Sequence, residues 1–106
     1  MDIRYEMDTG WPGSLNLHQR IAAYVRPERA RRFKVGITNN PTVRAANYGD
    51  QYDEMIVVYK TASDNNLRDM EEFLTRYFEG DSDNLNYGGG GPRGDGPYFL
   101  YVVLHR

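Results

Sequence analysis

Apolar and polar residues alternate at the start of the chain, where Ile3, Tyr5 and Met7 interleave with Asp2, Arg4, Glu6 and Asp8. A period of two predicts a short half-buried strand, and its charged face suits a sheet edge. Thr9-Gly10-Trp11-Pro12-Gly13 ends the strand in a turn. Ser14 is placed to cap a helix in which Leu15, Leu17, Ile21, Ala22 and Val25 recur at roughly helical spacing. Pro27 ends or restarts that helix, because it lacks an amide hydrogen and restricts Arg26. Phe33 to Thr38 reads as a strand and Asn39-Asn40-Pro41 as a turn, with Pro41 in the first turn of a new helix. That helix carries Val43, Arg44, Ala46 and Asn47 and stops at Gly49.

Glu54 to Tyr59 is rich in β-branched residues and predicts a strand. Asp64 or Asn65 can cap a long helix running to Phe78, with Leu67, Met70, Leu74, Tyr77 and Phe78 on one apolar face. Gly80 stops it. Asp81 to Pro97 is a glycine-rich loop. Tyr98 to Leu104 is an unbroken apolar run, which predicts a strand covered on both faces or lying mid-sheet. The fold class is α+β: a small, mostly antiparallel sheet of three to four strands flanked by helices, with the C-terminal strand at its centre.

At 106 residues with 40% hydrophobic content, the chain fits one domain with a single core. It has no cysteine, which excludes a disulfide framework, a thiolate metal site and a cysteine nucleophile. No apolar run approaches the ~18 residues of a membrane span. Met1 to Gly10 has no apolar core of the kind a secretory signal needs. A cytoplasmic location is expected, or a nuclear one in a eukaryote, with no membrane partner.

The net charge of −2 excludes a uniformly basic coat, but the charge is unevenly spread. Arg20, Arg26, Arg29, Arg31, Arg32 and Lys34 stand against a single acid, Glu28. Arginine's planar fork of donors suits phosphate. A solvated helix face is the ordinary explanation of such a run.

The most specific pattern runs from Lys34-Val35-Gly36-Ile37-Thr38 through Asn39-Asn40-Pro41-Thr42-Val43-Arg44 to Tyr48. A glycine is followed by threonine two residues on, arginine six residues later and tyrosine four beyond that. On a strand, turn and helix, this resembles the second half of the GIY-YIG nuclease signature. Leu67, Met70, Glu71 and Leu74 match the helix pattern that follows in that family. Asn84 and Asn86, ahead of Gly88 to Gly91, match its asparagine near a loop that closes the site. The resemblance covers roughly residues 33 to 91. Two features depart from it: Lys34 stands where the family has the YIG tyrosine, and no GIY strand lies upstream. Phe99-Leu100-Tyr101 on the C-terminal strand would take the place of that strand in a circularly permuted arrangement.

The resemblance implies a metal-dependent endonuclease acting on nucleic acid, DNA ahead of RNA. Glu71 would be the single carboxylate that holds Mg²⁺ or Mn²⁺, an ion that keeps several waters and takes phosphate oxygens. Arg44 would clamp the phosphate and stabilise developing charge. Tyr101 and Tyr48 would act as general base or orient water, and Lys34 would add charge or act as a base. Arg29, Arg31 and Arg32, with Asn84 and Asn86, would contact nucleic acid. Each residue also has a structural reading: Arg44 and Glu71 as helix surface, Tyr101 as core, Tyr48 as helix-end packing. A catalytically silent nucleic-acid-binding or protein-interaction module on the same fold is the alternative. Since family nucleases usually carry a separate DNA-binding domain, targeting here would fall to a protein partner, a homodimer or the substrate's structure.

Overall fold

A computed structural model describes residues 1–9, 16–26, 28–80 and 96–106. Seven elements follow in chain order: β1 (Asp2–Asp8), α1 (Leu17–Tyr24), β2 (Arg32–Thr38), α2 (Pro41–Tyr48), β3 (Glu54–Thr61), α3 (Asp64–Tyr77) and β4 (Tyr98–His105). They form an α+β unit with a four-stranded sheet in the order β1-β3-β4-β2. Ser14, Leu15, Trp11, Pro27 and the stretch from Asp81 to Asp95, with Asn84, Asn86 and the glycine run, lie outside the described residues.

The last strand sits between β3 and β2 and is antiparallel to both. Its apolar run makes that position favourable: Leu100 to Leu104 are all buried, on both faces. β1 is at the edge, as its charges suggest, but it pairs parallel to β3, so the sheet is mixed. It is also less buried than its alternation implies. Ile3 packs against the core, whereas Tyr5 is 52% exposed and Met7 36%. The face they share with Val57 is covered, among the described helices, by the short α2 alone.

Alternate residues of each strand divide the core in two. On one face Val35, Ile37, Ile56, Val58, Leu100, Val102 and Leu104 pack against Leu17 and Ile21 of α1 with Val25 just after it, and Leu67 and Leu74 of α3 with Phe78 just after it. On the other face Met55, Val57, Tyr101 and Val103 pack beneath Ala45 and Tyr48 of α2, with Tyr52. A bulge between Val57 and Tyr59 places both Val58 and Tyr59 in the first layer.

Local chemistry fixes α2. The buried Thr38 accepts at Oγ1 from the Asn40 amide at 3.0 Å, and Asn40 Oδ1 caps the helix by accepting from the Val43 amide at 3.2 Å. Pro41 occupies the first turn, and Gly49 takes the positive φ of 59° that ends the helix. In α3, Ser63 caps by accepting from the Asn66 amide. The buried stripe is Leu67, Glu71, Leu74, Thr75 and Phe78. Tyr77, expected on that stripe, is 52% exposed, because the stripe's centre lies about 100° round the helix from it. That rotation carries Glu71 from the border of the apolar face into its middle.

Removing residues 98–106 would strip β2 and β3 of their shared partner and leave two open ladders. The truncated chain is expected to lose its cooperative thermal transition, followed by circular dichroism. Retention of that transition would contradict a central role for β4.

Candidate functional site

The site is organised by one cross-strand pair. Gly36 of β2 lies directly opposite Tyr101 of β4, on the α2 face. A Cβ at Gly36 would stand 2.3 Å from the Tyr101 hydroxyl oxygen and 2.4 Å from Cζ. The absent side chain is the space in which the ring lies. Tyr101 is 1% exposed, so its hydroxyl needs a partner, and Tyr48 at the end of α2 supplies it at 2.6 Å. The rings of Tyr48 and Tyr101 meet edge to face at 6.1 Å, and Tyr52 meets Tyr48 in the same way at 5.3 Å.

Two cations of β2 border this aromatic row. Lys34 is two residues before Gly36 on the same face, and its Nζ lies 5.9 Å from the Tyr48 ring centre. The Arg32 guanidinium lies 5.0 Å from the Tyr52 ring centre and donates to the Gln51 carbonyl at 2.6 Å. Arg44, one turn before Tyr48 on α2, is exposed and bears electrostatically on Tyr48, Tyr101 and Glu71.

Glu71 comes from α3, which packs on the face of the sheet opposite α2, chiefly against β2 and β4, and reaches the group electrostatically, through Lys34, Arg44 and Tyr101. It is 8% exposed, and its Oε1 finds no hydrogen-bond partner among the described residues. Burial raises its carboxyl to about 7, against the pull of Lys34, Arg44 and Arg68. Burial likewise raises the Tyr48 hydroxyl and, further, that of Tyr101. Tyr101 therefore holds its proton more tightly than Tyr48, and the hydrogen bond between the two hydroxyls lowers Tyr48 and raises Tyr101. Of the two, Tyr48 has the more accessible and more readily titrated hydroxyl.

Lys34, Arg44, Tyr48, Glu71 and Tyr101 are thus brought into one electrostatic neighbourhood, although they come from four elements. Arg32 shares the sheet face. Arg29 and Arg31 do not: they line a cavity with Ile56 and Leu104, on the opposite face. Asn84 and Asn86 lie outside the described residues. Tyr52 and the steric role of Gly36 went unread in the sequence. The spacing of Tyr48 and Tyr52 four apart, beside Arg32 and Lys34 two apart, was the available signal.

No group of three or more His, Cys, Asp or Glu able to hold a metal occurs among the described residues. Glu71 offers one carboxylate with an orphaned oxygen, which fits a divalent cation whose remaining ligands are water and a bound phosphate. It does not fit a cation caged by protein alone. Comparison with protein-family models, characterised proteins and solved structures finds no match to the chain.

Two outcomes follow from packing and charge. Gly36→Ala is expected to destabilise the fold by about 1–3 kcal/mol, as overpacking does. Tyr101→Leu in the same chain removes the clashing atoms, so the pair should lose less than the sum of the single changes in a double-mutant cycle. Additive losses would contradict the close approach.

For Glu71, the unfolded carboxyl has the ordinary value near 4.5 and the folded one about 7. The unfolded chain therefore releases the proton first, and stability contributed by the neutral form is full below about 4.5 and lost as pH rises to about 7. Glu71→Gln stays neutral throughout. It should match the wild type near pH 4 and exceed it above pH 7 by on the order of 1–3 kcal/mol. Melting curves at both pH values check this; a difference independent of pH would contradict it.

Proposed function

We propose that the α2 face binds a phosphodiester of nucleic acid and hydrolyses it with the help of one divalent cation, Mg²⁺ or Mn²⁺, in the manner of a divergent, circularly permuted GIY-YIG nuclease. The observation that carries this reading is Glu71: a carboxylate nine-tenths buried, with an unpartnered oxygen, among the charges of Lys34 and Arg44. A buried charge is costly unless it has a partner, which a bound cation would supply. The resemblance of Gly36, Thr38, Arg44, Tyr48 and Glu71 to the family pattern points to that partner.

Glu71 would hold the cation, which supplies positive charge to a phosphate oxygen and acidifies a bound water. Arg44, exposed on α2, clamps the phosphate through its guanidinium fork and faces the charge that grows on it. Tyr48 shares a hydrogen bond with the buried Tyr101 hydroxyl and, as the more exposed of the two, is the one placed to meet substrate or water. Tyr101 positions Tyr48 and contributes no proton of its own. Lys34 adds charge where the family has a tyrosine.

One observation favours the alternative, a silent nucleic-acid-binding module. Both tyrosine hydroxyls are shifted upwards, away from a base at neutral pH, and Lys34 and Arg44 can neutralise Glu71 without a metal.

The test is cleavage of plain, branched and single-stranded DNA and of RNA with Mg²⁺ or Mn²⁺. Glu71→Gln should lower the rate by ~10²-fold or more while the chain stays folded, because Gln keeps the shape and loses the charge. Arg44→Ala should lower the rate similarly and also weaken binding, with a reduced salt dependence. Undiminished cleavage by Glu71→Gln would refute the mechanism. A wild-type chain that binds and cuts nothing would establish the silent module.

A further inference from the structure

On the face of the sheet away from Tyr101, a cavity of about 470 Å³ is lined by Arg4, Tyr24, Glu28, Arg29, Ala30, Arg31, Glu54, Ile56, Leu104 and Arg106. We propose that it binds a nucleotide through a terminal phosphate monoester, separately from the Glu71 site.

Charge is the first argument. Four arginines and two glutamates line the cavity, an excess of two positive charges within the lining, with the exposed Glu6 pairing with Arg4 outside it at 3.1 Å. A phosphate monoester carries about −1.5 to −2 at neutral pH and balances that excess. An internal phosphodiester, with a single charge, balances half of it.

The second argument is construction. Glu54 is 5% exposed and is paired with Arg4 Nη1 at 3.3 Å and Arg106 Nη2 at 2.5 Å. That buried carboxylate anchors two guanidiniums at the rim. Arg4 is further held against the Tyr24 ring, 5.7 Å from its centre. Arg29 and Arg31 come from a turn pinned by backbone bonds: the Arg29 amide donates to the Arg26 carbonyl at 2.7 Å, and the Arg31 amide to the His105 carbonyl at 2.7 Å. Among the described residues neither Arg29 nor Arg31 is in a salt bridge. Two guanidiniums thus fix the wall and two remain for a ligand, a division suited to bidentate capture of phosphate.

Size is the third argument. The cavity falls in the range of small-molecule sites, ~300–1,000 Å³, and is several times larger than a phosphate group needs. Tyr24, Ile56 and Leu104 give the rest of the ligand an apolar wall.

The ligand could be a free mononucleotide or the phosphorylated end of a strand, and the probes separate these. Methyl NMR of the full chain, without divalent metal, would follow titration with AMP, adenosine, inorganic phosphate, and one short oligonucleotide with and without a 5′-phosphate. AMP, the phosphorylated oligonucleotide, or both should shift the Ile56 and Leu104 methyls and leave those of Val57 and Val103 in place. Inorganic phosphate should bind more weakly, and adenosine and the unphosphorylated strand should leave the Ile56 and Leu104 methyls unmoved. Arg29→Glu with Arg31→Glu, both exposed positions, should lower the AMP or strand-end affinity about tenfold or more, the unchanged methyl spectrum showing that the fold persists. Equal shifts from adenosine, no shift from any phosphorylated probe, shifts confined to Val57 and Val103, or unaltered affinity in the double variant would each overturn the proposal. The location of the shifts keeps this result distinct from success or failure of cleavage at Glu71.

Discussion

The close approach of Tyr101 to Gly36 is the constraint on which the α2 face depends. The ring can lie across β2 only where that strand has no Cβ. It can bring a hydroxyl into a core that is 1% exposed only if a second hydroxyl reaches it. Tyr48 does so because Pro41 and the Asn40 cap start α2 at a fixed point, and two turns later the helix ends above the sheet. A tight turn, a missing side chain and a buried hydroxyl are thus parts of one arrangement. The centre of the sheet is the natural place for it, since β4 is held by ladders on both sides and cannot shift to relieve the contact.

Glu71 works against that packing. Position 71 is the middle of the buried stripe of α3, where an apolar side chain would stabilise the fold. The carboxylate there is held near neutral titration instead of the usual acidic range, by burial that the surrounding cations only partly offset. Stability alone gives no account of a glutamate at this point. The proposed function would give one: a half-protonated carboxylate with one unpartnered oxygen is a weak metal ligand alone and would be a better one when phosphate oxygens complete the shell.

Most of the architecture was legible in the sequence because its signals are local. The β-branched run at Glu54–Tyr59, the Asn-Pro start of α2 and the unbroken apolar run at the C-terminus each define an element without knowledge of the rest. The central position of β4 could be inferred for the same reason: an all-apolar strand needs two covered faces. The phase of α3 was harder. Tyr77 and Glu71 lie on either side of the apolar stripe that hydropathy marks in the sequence, and hydropathy favours Tyr77 as the buried one. Contact with the β2 and β4 side of the sheet, a tertiary matter, turned the helix towards Glu71. The parallel pairing of β1 was likewise unreadable, because strand direction follows from connections that span α1, β2 and α2.

The basic run from Arg20 to Lys34 shows why linear charge is a poor map of a surface. Within it Arg31, Arg32 and Lys34 are near neighbours in sequence, yet the pleat of β2 and the turn before it send them to different places. Arg32 and Lys34 border the tyrosine row through their ring contacts. Arg29 and Arg31 join Arg4 and Arg106 on the other side of the sheet, where Glu54 is already neutralised. A single nucleic-acid strand lying flat on one face cannot engage both groups. The charge that the sequence presents as one patch is therefore two, each with its own carboxylate: Glu71 draws on Lys34, Arg44 and Arg68, while Glu54 pairs with Arg4 and Arg106.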